Sequence, residues 1–546
     1  MKFLRAITLL VCPAIASIQA AVPTIASLGV RNSASYSLPG LPNAGIAQGS
    51  IFVIFGANLG PDKIVQVSSF PLPTSAGLSG TSVQVTVNGT SLYAIMLYTL
   101  VSQVAAILPS NTPIGTGTVT VTYQGQTSES APITVVRSSF GVFTTNQSGS
   151  GPAVLQNVNS ESDRPFNSPT KSAQAGQVII LWGTGLGPVS GDETNGPAPG
   201  DMPKLNLHVW VGNVEAKVQY RGRSGCCAGD DQIVFVVPEG VDGCFVPVYV
   251  QIDDVVSNFV TMSIGKNGAA CGDPGLSDDL IALANQNGGL RGGSLFVGRS
   301  DGEAGNTKVS TDILGAGFVK VPLSLIYAGQ SPKIGQCVVT QFPTALPPSP
   351  IGLDAGKVSV DTPVGKYELG EVTKGTFYLA FNASVPNSPT TVGDGTKLKP
   401  GKYTFTTTGG ADIGPITASI DFPKSFQWNH DAITSVDRSQ PLTITWTGGT
   451  PGTLVSVNGQ SSAAPGPNGD IGAAFICWGD AATGSLTIPV GVLQALPANY
   501  QDKNGKYQGT LYAQDSVTYN PFSASGLDYG NIFWSDGYSK GHMQFK

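Results

Sequence analysis

Seven cysteines, three histidines, a G-x-S-x-G stretch at Gly298–Gly302, several acidic pairs and an aromatic tail are the residues of this 546-residue chain with types suited to chemistry. The histidines are His208, His430 and His542. None stands at metal-ligand spacing from another histidine or from a cysteine, so no metal site is expected. Gly298-Arg299-Ser300-Asp301-Gly302 fits the nucleophile-elbow pattern. An elbow needs a helix next, and Glu303 to Lys308 does not read as one, so a turn or loop is expected. The bends Gly56–Gly60 and Gly183–Gly187 lack the Lys-Ser/Thr of a phosphate loop. They read as corners where the backbone takes positive φ. Asp230-Asp231, Asp253-Asp254 and Asn468-Gly469-Asp470 show no calcium-loop spacing, and Asp253-Asp254 reads as a hairpin turn. No catalytic residue and no cofactor is assigned.

The binding hint is aromatic. Trp428, Trp446, Trp478, Tyr519, Phe522, Tyr529, Phe533, Trp534 and Tyr538 crowd the C-terminal block. Exposed rings stack on sugars or anchor protein interfaces. Trp446 alternates within a strand and is expected in the core. The segment from Tyr529 to Tyr538, broken by Asp528, Asp536 and glycines, is harder to bury, so Tyr529, Phe533, Trp534 and Tyr538 are the candidate ligand-binding residues.

The elements that position these residues are strands. Hydrophobic content of 41% supports packed cores, and 70 glycines with 39 prolines, without strict period, imply frequent turns between short strands. Val-, Ile- and Thr-rich runs recur throughout, so the expected class is all-β. A net charge of −6 without a basic stripe excludes nucleic acid as an expected partner. Ser91 to Leu108 is uncharged, but Ser102-Gln103 interrupts it and Pro109 ends it, so two strands are expected and no membrane span. Residues 1–20 read as a signal peptide: Lys2 and Arg5, an apolar run from Ala6 to Ile18, then cleavage after Ala16 or Ala20. Leu10-Val11 before Cys12 does not fit a lipidation signal. The expected location is secreted or cell-surface.

An internal repeat organises the first half. Residues 49–61, GSIFVIFGANLGP, are echoed at an offset of 127 by residues 176–188, GQVIILWGTGLGP. Val83–Gly89 answers Leu207–Gly212, Gln103–Pro109 answers Gln232–Pro238, and Ser130–Val136 answers Ser257–Ser263. Each copy has the strand count and spacing of a sandwich. FGANLGP, WGTGLGP, LPTSAGLSGTSVQVTVNG and GCCAGDDQIVFVVPEGVDGCFVPVYV resemble a bacterial family of paired IPT/TIG-type immunoglobulin-like domains found in large secreted proteins. The resemblance spans roughly residues 22 to 272 and implies tandem immunoglobulin-like sandwiches and export, but no activity.

The expected organisation is a signal peptide (1–20), immunoglobulin-like domains at 21–138 and 139–272, a connector at 273–292, a β-sandwich at 293–429 and a β-rich domain at 430–546. Within the connector, Ser277 caps a helix from Asp278 to Asn287, stopped by Gly288-Gly289. Further strands are read at Ser294–Val297, Phe318–Tyr327, Cys337–Thr340, Lys357–Val360, Gly375–Phe381, Gly401–Thr406 and Ile416–Phe422. The last block adds Leu442–Trp446, Thr453–Val457, Ala474–Trp478 and Gly484–Ile488. The two C-terminal blocks could also be one large sandwich.

Six cysteines lie beyond the leader, an even number that favours disulfides in an exported chain. Strand directions bring Cys271 back to the end that holds Cys244. Cys226 and Cys227 sit one strand length away, some 20 Å at about 3.3 Å per residue, too far for a bond to that pair. A vicinal Cys226–Cys227 bond remains, unless the loop before Asp231 folds back and one of them reaches Cys271. Cys337 and Cys477 then join the two C-terminal blocks. The expected function is non-catalytic adhesion, recognition or scaffolding, with an unspecified protein or polysaccharide as partner. The rivals are a carbohydrate-binding protein using the aromatic tail, and an extracellular glycoside-active enzyme with an acid pair within residues 292 to 546.

Overall fold

The computed structural model describes residues 21–266, 270–271, 277–304, 307–328, 333–343, 349–381, 398–423, 426–467, 469–517 and 520–546. The leader, Asn468, Tyr519 and part of the connector lie outside the described residues. The described chain is all-β: strands dominate, and its helices are short. No described helix is long and apolar enough to cross a membrane.

The first repeat contains β1 (Thr24–Asn32), β2 (Ile46–Ala47), β3 (Ile51–Ala57), β4 (Val65–Gln66), β5 (Thr81–Val87), β6 (Thr90–Tyr93), β7 (Ile95–Leu100), β8 (Gln103–Ile107), β9 (Gly115–Tyr123), β10 (Gln126–Thr127) and β11 (Ala131–Val136). One sheet runs β1-β3-β8-β7-β4 and the other β2-β11-β9-β5-β6. Alternation in β5 buries Val83, Val85 and Val87 against Phe52, Ile54 and Val104 of the facing sheet. Ser91–Leu108 forms β7, β8 and their flanks, and these two strands pair antiparallel.

The second repeat contains β12 (Gly141–Val142), β13 (Leu155–Asn157), β14 (Val178–Thr184), β15 (Gly200–Asp201), β16 (Leu207–Val211), β17 (Val214–Arg223), β18 (Asp231–Val236), β19 (Gly243–Ile252), β20 (Val255–Val256) and β21 (Val260–Ile264). The strands β3 and β14 begin and end at the repeat offset. One continuous strand, β17, does the work of β6 and β7. Its start pairs with β16 in one sheet and its remainder with β18 in the other, with an irregularity between Val218 and Tyr220. The corner glycines divide by role. Gly185 and Gly187 take φ of 114° and 134°, but in the first copy Asn58 holds the left-handed position, at 55°. Gly56 is instead required by close approach, since a Cβ there would lie 2.0 Å from the Thr24 carbonyl oxygen. The expectation of positive φ therefore needs correcting for Gly56, Gly60 and Gly183.

The C-terminal region begins with α1 (Asp278–Asn287), whose N-cap Ser277 Oγ accepts from Leu280 N and whose C-cap Gly288 is left-handed. Next come β22 (Gly289–Ala304), β23 (Thr307–Pro322), α2 (Leu323–Ala328), β24 (Cys337–Phe342), β25 (Ile351–Gly352), β26 (Val358–Thr362), β27 (Gly365–Thr373), β28 (Thr376–Phe381), β29 (Gly401–Thr407) and β30 (Ile416–Phe422). The last block holds β31 (Gln427–Trp428), β32 (Ser435–Val436), β33 (Leu442–Thr447), β34 (Leu454–Ala464), β35 (Ile471–Asp480), β36 (Ser485–Ile488), α3 (Val490–Gln494), β37 (Gly509–Ser516), β38 (Tyr529–Gly541) and β39 (Gln544–Phe545). The strand expected through Tyr327 ends at Pro322, which cannot continue the ladder, and Leu323–Ala328 turns helical.

One sheet crosses the divide expected near residue 430, in the order β24-β35-β34-β37-β38-β22-β23-β28-β27-β26-β29-β30. The central join is parallel, β22 beside β38, with Leu295 opposite Ile532 and Val297 opposite Trp534. Two cores lie against this sheet. One gathers mainly residues 295–422, and the other mainly residues 426–545. Each block lends a strand to the other: Cys337 and Val339 enter the later core, and Ile532 and Trp534 enter the earlier one.

The sandwiches are not loosely strung. Tyr249 and Phe259 of the second repeat stack at 4.4 Å and join the core built by residues 426–545. Leu38 and Leu41 of the first repeat pack on Ile471.

Candidate ligand-binding face

A central strand turns alternate side chains to opposite faces, and this decides where each candidate ring falls. In β38, Ile532 and Trp534 point into a core, with Trp534 only 3% exposed and edge-on to Phe422. Tyr538 packs against the other core, its ring stacked 4.0 Å from that of His430. The expectation that Trp534 and Tyr538 present rings to a ligand is therefore corrected. Tyr529 is half-buried, and its ring occupies the space where a side chain at Gly292 would stand. Phe533 shares the outward face with Tyr529, and is half-buried and 5.0 Å from Phe296. The alternation Ile532, Trp534, Asp536, Tyr538 was the available signal, and the intervening glycines obscured it.

The outward face of the same sheet carries a feature that motif reading passed over. Along β34 the accessible outward positions are Asn458 and Gln460, with Ser456 buried beside them, and along β37 they are Thr510, Tyr512 and Gln514. Beside them β35 presents Ala474, Ile476 and Trp478, and β38 presents Ser535, Gly537 and Ser539. None of these side chains is charged. A groove of about 390 Å³ opens here, walled by Thr340, Asn458, Gln460, Ile476, Thr510 and Tyr512. Its size lies in the range of small-ligand sites.

Tyr512 anchors the groove. Its hydroxyl donates to Gln514 Oε1 at 2.8 Å. Its ring side chain reaches across β38, where a Cβ on Gly537 would stand 2.7 Å from the hydroxyl oxygen. Burial pushes the phenol up to about 12, so it stays a neutral donor. Asn458 Nδ2 donates to Ser456 Oγ at 3.3 Å and leaves its carbonyl to the groove. The face thus offers amides, hydroxyls and aromatic rings, with no charged side chain among the residues named to demand an ionic ligand.

Acid groups lie on the opposite side of the sheet. Asp515, Asp536, Arg299 and Asp312 occupy one row across β37, β38, β22 and β23. Each carboxylate holds a backbone amide below the sheet: Asp312 accepts from Leu398 N at 2.9 Å, Asp536 from Phe426 N at 2.8 Å and Asp515 from Thr450 N at 2.9 Å. Burial pushes the Asp536 carboxyl up to about 6. All three are at most 2% exposed, so they face no substrate. Ser300 lies within a strand, in neither a turn nor the strand-to-helix elbow of the motif. The expected turn at Gly298–Gly302 is instead part of the 16-residue strand β22, because Gly298 makes room for the ring of Phe296.

The histidines stay apart. His208 Nδ1 lies 2.5 Å from Glu215 Oε1 on the surface, and His542 lies beside the Tyr507 carbonyl. The cysteines are joined as Cys226–Cys227, Cys244–Cys271 and Cys337–Cys477. Cys337 and Cys477 stand directly opposite on β24 and β35, with Cα atoms 4.1 Å apart.

No family model and no curated protein matches the chain. Among solved structures, it is similar to domains 5-6 of the S-layer protein SbsC, with 12% identity, TM-score 0.15, and 45% of this chain and 99% of that chain covered. Immunoglobulin domains 1-5 of Sidekick-1 align at 10% identity and TM-score 0.12, covering 90% and 79%. SGBP-B of the Bacteroides ovatus mixed-linkage glucan utilization locus, in complex with a mixed-linkage heptasaccharide, aligns at 10% and 0.13, covering 79% and 86%. At such scores these likenesses carry no weight for function, and the sandwich assignment rests on the sheets themselves.

Proposed function

We propose that this chain is a non-catalytic extracellular recognition protein whose fused sandwiches hold out an uncharged sheet face that binds a neutral polysaccharide. The supporting observation is the groove at Asn458, Gln460 and Tyr512, where amides and a ring line one open wall that contains no charged side chain. Sugar hydroxyls pair with amides, and the apolar face of a pyranose stacks on an aromatic ring. Three disulfides and the low charged content, 12%, fit an oxidising exterior.

The test is retention on a panel of neutral polysaccharides by affinity electrophoresis, with Tyr512→Ala and Asn458→Ala as variants. Retention of the wild type, lost in both variants at unchanged melting temperature, supports the reading. Failure to bind any neutral glycan, or binding indifferent to both substitutions, overturns it. A pure scaffold is the second reading, favoured by the closed junctions between sandwiches, and it predicts that second outcome.

A further inference from the structure

The loop between β17 and β18 carries Cys226, Cys227 and Asp230. The two sulfurs and a carboxylate oxygen of Asp230 lie within 4.8 Å of one another. Both cysteines are exposed, whereas Cys244, Cys271, Cys337 and Cys477 are at most 2% exposed. A reductant in solution therefore meets the vicinal bond first.

The loop's shape does not depend on that bond. At its base, Arg223 pairs with Asp231 in register and as a buried ion pair. Ser224 N donates to Asp230 O at 3.0 Å, and Asp230 N to Cys227 O at 3.3 Å. Ser224 Oγ accepts from Cys227 N at 3.3 Å. Underneath, Ala228 packs on the apolar patch of Ile51, Leu72, Ile95 and Ile107 of the first sandwich. Opening the disulfide leaves both sulfurs beside the Asp230 carboxylate, which accepts no hydrogen bond from the described residues.

We propose that, once the Cys226–Cys227 disulfide is reduced, the two thiolates and the Asp230 carboxylate chelate a thiophilic divalent cation such as Zn²⁺ at the junction of the two N-terminal sandwiches. The reductant is a dithiol. Its two sulfurs form one S–S bond while the Cys226–Cys227 bond breaks, two electrons and two protons pass to the protein, and two thiols result. The cation then displaces both thiol protons, and any proton on Asp230, into solvent. Two sulfurs and one oxygen fill three positions of a tetrahedral site, and water fills the fourth.

The test uses the full chain, reduced with dithiothreitol, desalted without oxygen and titrated with Co²⁺ and Zn²⁺. One equivalent of Co²⁺ is expected, with sulfur-to-cobalt charge-transfer bands that Zn²⁺ abolishes. The oxidised chain should show none. Cys226→Ser and Cys227→Ser should each lose the bands, and Asp230→Asn should weaken Zn²⁺ binding at least tenfold, at melting temperatures near that of the reduced wild type. Alkylation and mass spectrometry should find Cys226 and Cys227 labelled before the other four. The proposal is overturned by a reduced wild type without the bands, by Asp230→Asn binding as tightly as wild type, by binding that survives both serine variants, or by prior opening of a buried disulfide. Should a serine variant misfold, the oxidised and reduced wild type still decide the matter.

Discussion

Arg223 and Asp231 form a buried ion pair at the matched ends of β17 and β18, and the same guanidinium reaches into the first sandwich. Arg223 Nη2 donates to the Gly49 carbonyl and, at 3.1 Å, to that of Gly187. Asp231 Oδ2 accepts from Gly185 N and Leu186 N, both at 2.7 Å. Burial pushes its carboxyl up, and the guanidinium and these two amides oppose that push. One pair thus closes a hairpin, pins the glycine corner after β14 and joins two domains.

Arg223→Met should therefore cost about 3–5 kcal/mol, because it strands a buried carboxylate. Denaturant unfolding of a fragment spanning both N-terminal repeats measures this. A cost below about 1 kcal/mol would place the pair outside the junction's energetics.

Trp534→Ala should destabilise the C-terminal region by about 3–5 kcal/mol, as expected for a large core side chain. Tyr512→Ala, at the open groove, should cost far less. Thermal melts of the two variants compare the covered and uncovered faces of one sheet.

The Asp536 carboxyl sits near 6 in the fold, above the 3.8 of an unperturbed aspartate. The folded state therefore holds more protons than the unfolded state between these values, and this group's contribution to stability falls as pH rises through that window. Asp536→Asn lacks this loss. The melting temperature of Asp536→Asn relative to wild type should be higher at pH 7.5 than at pH 4.5, on the order of 1–2 kcal/mol in stability. An equal difference at both pH values would contradict the assignment.

Cys337 and Cys477 close a separation of 140 residues. Replacing both with serine should lower stability by about 5 kcal/mol in the loop-entropy account. Because both lie in the core built mainly by residues 426–545, that core should melt first.

Much of the architecture was legible because local patterns carry it. Alternating apolar residues mark β5, β16 and β18, the Ser277 and Gly288 caps bound α1, and the repeat offset sets β14 against β3. Strand direction and length also kept the vicinal cysteines away from Cys244, but a loop folding back to Cys271 stayed open until the structure joined Cys226 to Cys227. The groove was not legible. Asn458, Gln460 and Tyr512 lie on two strands some fifty residues apart, and no spacing rule brings them together.

By itself the sequence determined that the chain builds strands, roughly where several of them lie, and that its first half repeats. Those properties depend on period-two patterning and turn residues, which act over a few positions. Tertiary structure alone decided that β22 lies parallel to β38, merging two C-terminal blocks into one sheet, and which side of that sheet each ring faces. Alternation establishes that a strand has two faces. Only the layers packed from distant parts of the chain determine which face is covered, so Trp534 is buried while Phe533, the residue before it in sequence, faces outward.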